Sequence, residues 1–170
     1  MNFDQNIIEQ LENNMEIFKA FFKSSNHDMI LWKPAHEKWN TLEIVCHLYD
    51  EEREDFRARL IHVLENPDAP LPPIDPPGWV SQRNYAAQNF QLKCSAFLTE
   101  RKNSVKFLRG LKNPKWDNAY QHPKFGPLSA KMFLANWLAH DYLHFRQLTR
   151  LRHEYLQHVS GEKLSYAGNW

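Results

Sequence analysis

Apolar residues recur at intervals of three and four along four long stretches of the chain, the spacing that lines one face of an α-helix. The first stretch covers about residues 3–23, where Ile7, Ile8, Leu11, Met15, Phe18 and Phe22 form one stripe. The second runs from Asn40 or Thr41 to Asn66, with Ile44, Val45, Leu48, Phe56, Leu60 and Val63 on its inner face. Asn40 followed by Glu43 has the spacing of a capping box, and Asn66-Pro67 supplies a stop. A third helix is expected over about residues 81–111, using Ala86, Phe90, Cys94, Phe97, Val105 and Leu108, and Asn113-Pro114 ends it. The fourth, about residues 130–159, opens at Ser129 as N-cap and carries the strongest pattern: Phe133, Trp137, Leu138, Phe145, Leu148, Leu151 and Tyr155.

Between the second and third stretches, NPDAPLPPIDPPG holds six of the ten prolines. Fixed φ angles and missing N–H donors argue against helix or central strand there, so it is expected to be a semi-rigid crossing connection. Residues 122–129, HPKFGPLS, are expected to lead into the fourth helix. With only five glycines the chain lacks the tight turns of an all-β fold. The pattern predicts an all-α four-helix bundle over residues 1–170 as a single domain, with a Pro-rich crossover between helices 2 and 3.

Composition narrows the function. At 170 residues with 42% hydrophobic side chains, the chain can build one sizeable core. Its 21 Lys+Arg against 20 Asp+Glu give a net charge of +1, too little one-signed field to grip nucleic acid or an anionic membrane. Two cysteines, Cys46 and Cys94, do not make a disulfide framework. The opening MNFDQNIIEQLENN lacks the basic and apolar regions of a signal peptide, and no run of about 18 apolar residues suits a membrane span. A soluble, cytoplasmic protein is the expectation.

Nine histidines then become the informative feature. His140 and His144 lie one helical turn apart, so both imidazoles project from one face at a separation of about 5–6 Å. His47 lies beside the apolar face of the second helix. Three imidazoles from two helices would form a metal site with an open position, the arrangement of a catalytic centre. Alone, the H-x-x-x-H spacing also fits two partly buried histidines bonded to side chains or water. Other metal patterns drop out: no glutamate is followed three residues later by histidine, and His36-Glu37 and His153-Glu154 lack the second histidine of H-E-x-x-H.

WNTLEIVCHLYDEE (residues 39–52), the Pro-rich crossing, and GPLSAKMFLANWLAHDYLHFRQL (residues 126–148) together resemble the DinB-like (YfiT-like) metalloenzymes. The resemblance spans most of the chain and implies a four-helix bundle, often a homodimer. It also implies a divalent metal, zinc, nickel or iron, bound through histidines matching His47, His140 and His144. Some relatives are transferases or isomerases that use a low-molecular-weight thiol. The resemblance thus suggests a small-molecule substrate attacked by such a thiol at the metal; hydrolysis and a non-catalytic ligand-binding bundle are the alternatives. Neither nucleic acid nor membrane is expected as a partner.

Of the neighbouring residues, Glu51 lies one turn beyond His47 and could orient that imidazole or act as a base, although it also belongs to the charged run Asp50–Asp55. Asp141 is about 100° round the helix from His140, off the metal face. Gln147 matches the family motif. Cys46 reads as a buried apolar residue, Arg146 and Arg150 as a solvated basic edge or a substrate clamp, and Trp39, Trp79 and Tyr85 as core or pocket rim. His153 and His158 suit the negative end of the fourth helix.

Overall fold

A computed structural model describes residues 2–168. Four long helical units form the bundle. The first is α1 (Phe3–Lys23), followed by a short α2 (His27–Leu31). The second unit is compound: α3 (Thr41–Asp50), a π-helical segment (Glu51–Arg57) and α4 (Ala58–Glu65) run on from one another. A short α5 (Pro76–Gln82) and a 3₁₀ turn (Tyr85–Ala87) precede α6 (Phe90–Gly110). Strands β1 (Ala119–His122) and β2 (Gly126–Ser129) then pair antiparallel, and α7 (Ala130–Ser160) completes the bundle. A 3₁₀ turn at Leu164–Ala167 follows.

Local chemistry places most of these boundaries. Asn40 caps α3 by accepting from Glu43 N at 2.9 Å, while Glu43 Oε2 accepts from Asn40 N, closing the capping box. Ser129 caps α7 by accepting from Met132 N at 3.1 Å, and Gly161, at φ 70°, ends that helix in the left-handed region a glycine tolerates.

Three expectations need correction. Pro76 and Pro77 stand at the first positions of α5, where a missing N–H costs nothing, so a helix begins inside the Pro-rich crossing. The third long helix starts at Phe90, not near Ser81: Asn84 takes a left-handed conformation, φ 46°, which breaks the chain, and Asn89 restarts it as N-cap. Ala86 is therefore an exposed turn residue instead of part of the core. Residues 122–129, expected only to lead into the fourth helix, form a β hairpin with residues 119–121.

Around the bundle, α1 packs on α6 and α7, and the compound helix also packs on α6 and α7, so α1 and the compound helix take opposite corners. The apolar stripes meet in two separate clusters. Phe18, Phe22, Ile44, Leu48, Phe97 and Leu148 belong to one; Leu11, Phe56, Leu60, Val105, Leu134 and Trp137 belong to the other. Each long helix therefore passes from one cluster to the other near mid-length, and at that level each contributes a buried polar residue: Asn14, Glu52, Arg101 and Asp141.

These four form one network. Arg101, 1% exposed, donates from Nε to Glu52 at 2.9 Å and grips Asp141 through both terminal nitrogens at 2.6 and 2.7 Å. Asn14 donates to Asp141 and Trp137 Nε1 donates to Glu52, both at 2.9 Å. A buried guanidinium survives because its donors are matched by charged acceptors. The π-helical segment contributes directly. Glu51 and Glu52, adjacent in sequence, are both buried, Glu52 on this network and Glu51 beside His47. Such a bulge is a recurrent feature of functional sites.

Candidate metal centre

The three histidines singled out by spacing come together where α3 meets α7. His140 and His144 project from successive turns of α7, and His47 reaches them from the last turn of α3. Their Nε2 atoms converge: His47 to His140 at 3.3 Å and His144 to His140 at 3.0 Å. One ligand atom from each residue lies within 4.8 Å of the others, and they are the group of this kind among the described residues. Two nitrogens bound tetrahedrally to one ion at about 2.05 Å would be about 3.3–3.4 Å apart. The His47–His140 spacing meets that requirement, and the His140–His144 spacing is a few tenths of an ångström shorter.

Electrostatics favours ligand lone pairs over protonated rings. Burial pushes His47 down to about 3, with the neighbouring His144 adding to the effect, and burial pushes His144 down to about 4. His140 is lowered well below its ordinary value by burial, then by His144 and His47. At neutral pH all three rings are uncharged, each with one unprotonated nitrogen. Nδ1 of His144 lies 2.8 Å from Oε1 of Gln147, an acceptor, so the proton sits on Nδ1 and leaves Nε2 free to bind. The donor set, its neutrality and its spacing therefore suit a divalent ion with an open position.

Aromatic walls fix the rings. Trp39 lies against His47 with ring centroids 4.8 Å apart, and Phe56 lies against His140 at 4.9 Å. Phe56 also stacks on Trp137, whose Nε1 donates to Glu52, so the aromatic wall beside His140 is tied to the Arg101 network. On the open side lies a cavity of about 940 Å³ whose wall includes His140, His144, Trp39, Leu143 and Gln147.

Glu51 occupies the opposite edge of His47. Its Oε1 is 3.9 Å from Nδ1, beyond hydrogen-bond reach, and that buried Nδ1 has no hydrogen-bond partner. Burial, then the charge of Asp55, pushes Glu51 up to about 9, so Glu51 keeps its proton and donates it to Asp55. Asp141 points away from the histidines into the Arg101 network. Cys46 is buried and its thiol is pushed up to about 12 by burial, the state of an inert side chain rather than a nucleophile. Trp79 and Tyr85 are core residues, whereas Trp39, Arg146, Arg150 and His153 do line the cavity. Sequence reasoning missed the Arg101 network; acids and an arginine set within apolar stripes were the available signal.

Comparisons with known proteins agree with this architecture. Among curated proteins, no sequence matches the chain. Among solved structures, the chain is similar to YfiT from Bacillus subtilis, described as a probable metal-dependent hydrolase with an unusual four-helix bundle topology. The TM-score is 0.78 at 15% identity, over 96% of this chain and 91% of that one, a likeness of fold. No helix among the described residues is long and apolar enough to cross a membrane. A model of the DinB superfamily matches residues 10–148, which carry all three histidines, Gln147 and the Arg101 network, and the chain belongs to that superfamily.

Proposed function

We propose that the chain is a divalent-metal-dependent enzyme whose ion is held by His47, His140 and His144, and that it transfers or rearranges small molecules with a low-molecular-weight thiol bound at that site. The observation that carries the metal reading is the convergence of three neutral Nε2 atoms at metal-ligand spacing. A divalent ion in such a site supplies a Lewis acid that lowers the pKa of a thiol or a water at its open position.

The placement of acids supports thiol chemistry over hydrolysis. A general base for water must stand within hydrogen-bond reach of it. Glu51 faces the Nδ1 edge of His47, away from the convergent nitrogens, and holds its proton at neutral pH. At 3.9 Å it makes no hydrogen bond to His47 and in this reading only borders that ring's Nδ1 edge. Glu154, which lines the cavity, pairs with Arg150 at 2.8 Å and lies ten residues beyond His144, about 15 Å along the helix. Coordination alone ionises a thiol, and water only down to a pKa of about 7, so the lack of a nearby base weighs against water more than against a thiol. Hydrolysis is the second reading, favoured by the likeness in fold to YfiT.

The remaining residues shape the site. Gln147 keeps His144 in the tautomer that binds through Nε2, Trp39 walls off His47, and the cavity admits a substrate far larger than water. The test is turnover of a panel of thiols with alkylating electrophiles by metal-loaded and metal-stripped protein. Turnover that appears only with metal and disappears in His144→Ala supports thiol transfer. Metal-dependent ester or amide hydrolysis without thiol dependence supports the second reading.

A further inference from the structure

We propose that the groove beside the three histidines selects an anionic substrate, a small molecule bearing a carboxylate, which Arg146 and Lys38 hold while its other end reaches the histidines. The proposal rests on the metal reading for that other end.

The cavity of about 940 Å³ extends from His140 and His144 along α7 past Arg146 and Arg150. A second hollow of about 260 Å³ adjoins it, sharing Trp39, Gln147 and Arg150 and adding Lys38. Together they are lined by three cations, Lys38, Arg146 and Arg150, and one acid, Glu154, which pairs with Arg150. The groove thus carries an excess of two positive charges in a chain whose net charge is +1.

Arg146 differs from the other arginines. Seven of them pair with carboxylates, and Arg152 donates to Phe21 O and to Ser24. Arg146 and Lys38, both exposed, have neither ion pair nor side-chain hydrogen bond among the described residues. A guanidinium without a protein partner, on the wall of a cavity that opens onto a metal-type site, is free to take a ligand carboxylate through two parallel N–H bonds.

The reach sets the ligand's size. Arg146 and Arg150 lie two and six residues beyond His144, about 3 and 9 Å along the helix axis. A short aliphatic acid spans that distance, and its stem would lie against Trp39 and Leu143.

The experiment titrates the metal-loaded full chain with 3-mercaptopropionate, its neutral amide, and the thiol-free dianion glutarate. We expect the acid to bind about tenfold more tightly than the amide. In Arg146→Gln/Lys38→Gln, with metal content and melting temperature unchanged, the acid should fall to the level of the amide. Equal binding of acid and amide, a preference that survives the double substitution, or no binding of any probe overturns the proposal. Arg146-dependent binding of glutarate with no binding of the amide would sustain anion selection while removing the thiol reading. Tight amide binding with no gain for the acid would do the reverse.

Discussion

Nδ1 of His144 bonds to Oε1 of Gln147 at 2.8 Å, and this leaves the His144 Nε2 unprotonated and aimed at Nε2 of His140, 3.0 Å away. One amide oxygen, three residues further along the same helix, therefore decides which nitrogen of His144 is available to a metal. Gln147→Ala should fold normally, because Gln147 is only half-buried, and should weaken metal binding by about 10–100-fold. Competition against a chelator of known affinity measures this. Unchanged affinity would mean that the tautomer is set by something else.

The Arg101 network predicts a stability effect distinct from the metal. Arg101→Met leaves Glu52 and Asp141 buried without their cation, and should cost about 3–5 kcal/mol in denaturant unfolding of metal-free protein. Removing the charges together, in Arg101→Met/Glu52→Gln/Asp141→Asn, should recover part of the loss. A single substitution costing under about 1 kcal/mol would show that the network is more solvated than its geometry indicates.

How much of this was legible in the chain depends on distance along it. His140, His144 and Gln147 share a helix, so their relation follows from the 3.6-residue repeat alone. His47 was legible as a candidate because a histidine beside an apolar stripe is unusual, but its meeting with α7 depends on which helices become neighbours. Arg101 shows the limit: its partners lie 49 and 40 residues away, on helices whose packing no local pattern encodes. The π-helical segment was equally hidden, since a one-residue slip in backbone bonding leaves the apolar spacing of Phe56, Leu60 and Val63 almost unaltered. Pro76 and Pro77 misled because proline's ban on helix interiors does not extend to a first turn.

A pH dependence follows from the buried histidines. Below about pH 6.5 the unfolded chain takes up protons on His47, His140 and His144 that the folded chain refuses. Metal-free protein should therefore lose stability as pH falls from about 6.5 toward 4, by up to about 1.4 kcal/mol per pH unit for each ring. His140→Leu/His144→Leu should decline less steeply over that window. Parallel curves for the two proteins would contradict neutral burial of these rings.

Glu51 predicts the opposite slope. Its folded pKa, pushed up to about 9, exceeds the ordinary carboxylate value, so the folded state keeps a proton that the unfolded state releases. Its contribution is present at acid pH and is lost as pH rises from about 4.5 to 9. Glu51→Gln, which keeps a donor toward Asp55, should be more stable than the parent at pH 8 by on the order of 1–3 kcal/mol, with the gap closing by pH 4.5. Thermal unfolding of both proteins at the two pH values checks this; a variant less stable at pH 8 would show Glu51 to be ionised and paired.

Every functional proposal above depends on one divalent ion held by His47, His140 and His144. Elemental analysis of protein purified without a histidine tag tests it most directly. About one equivalent of a first-row divalent metal per chain is expected, reduced to a small fraction in His140→Ala with the fold retained by circular dichroism. Metal well below stoichiometry after incubation with zinc, nickel and iron, or an unchanged content in His140→Ala, would contradict it.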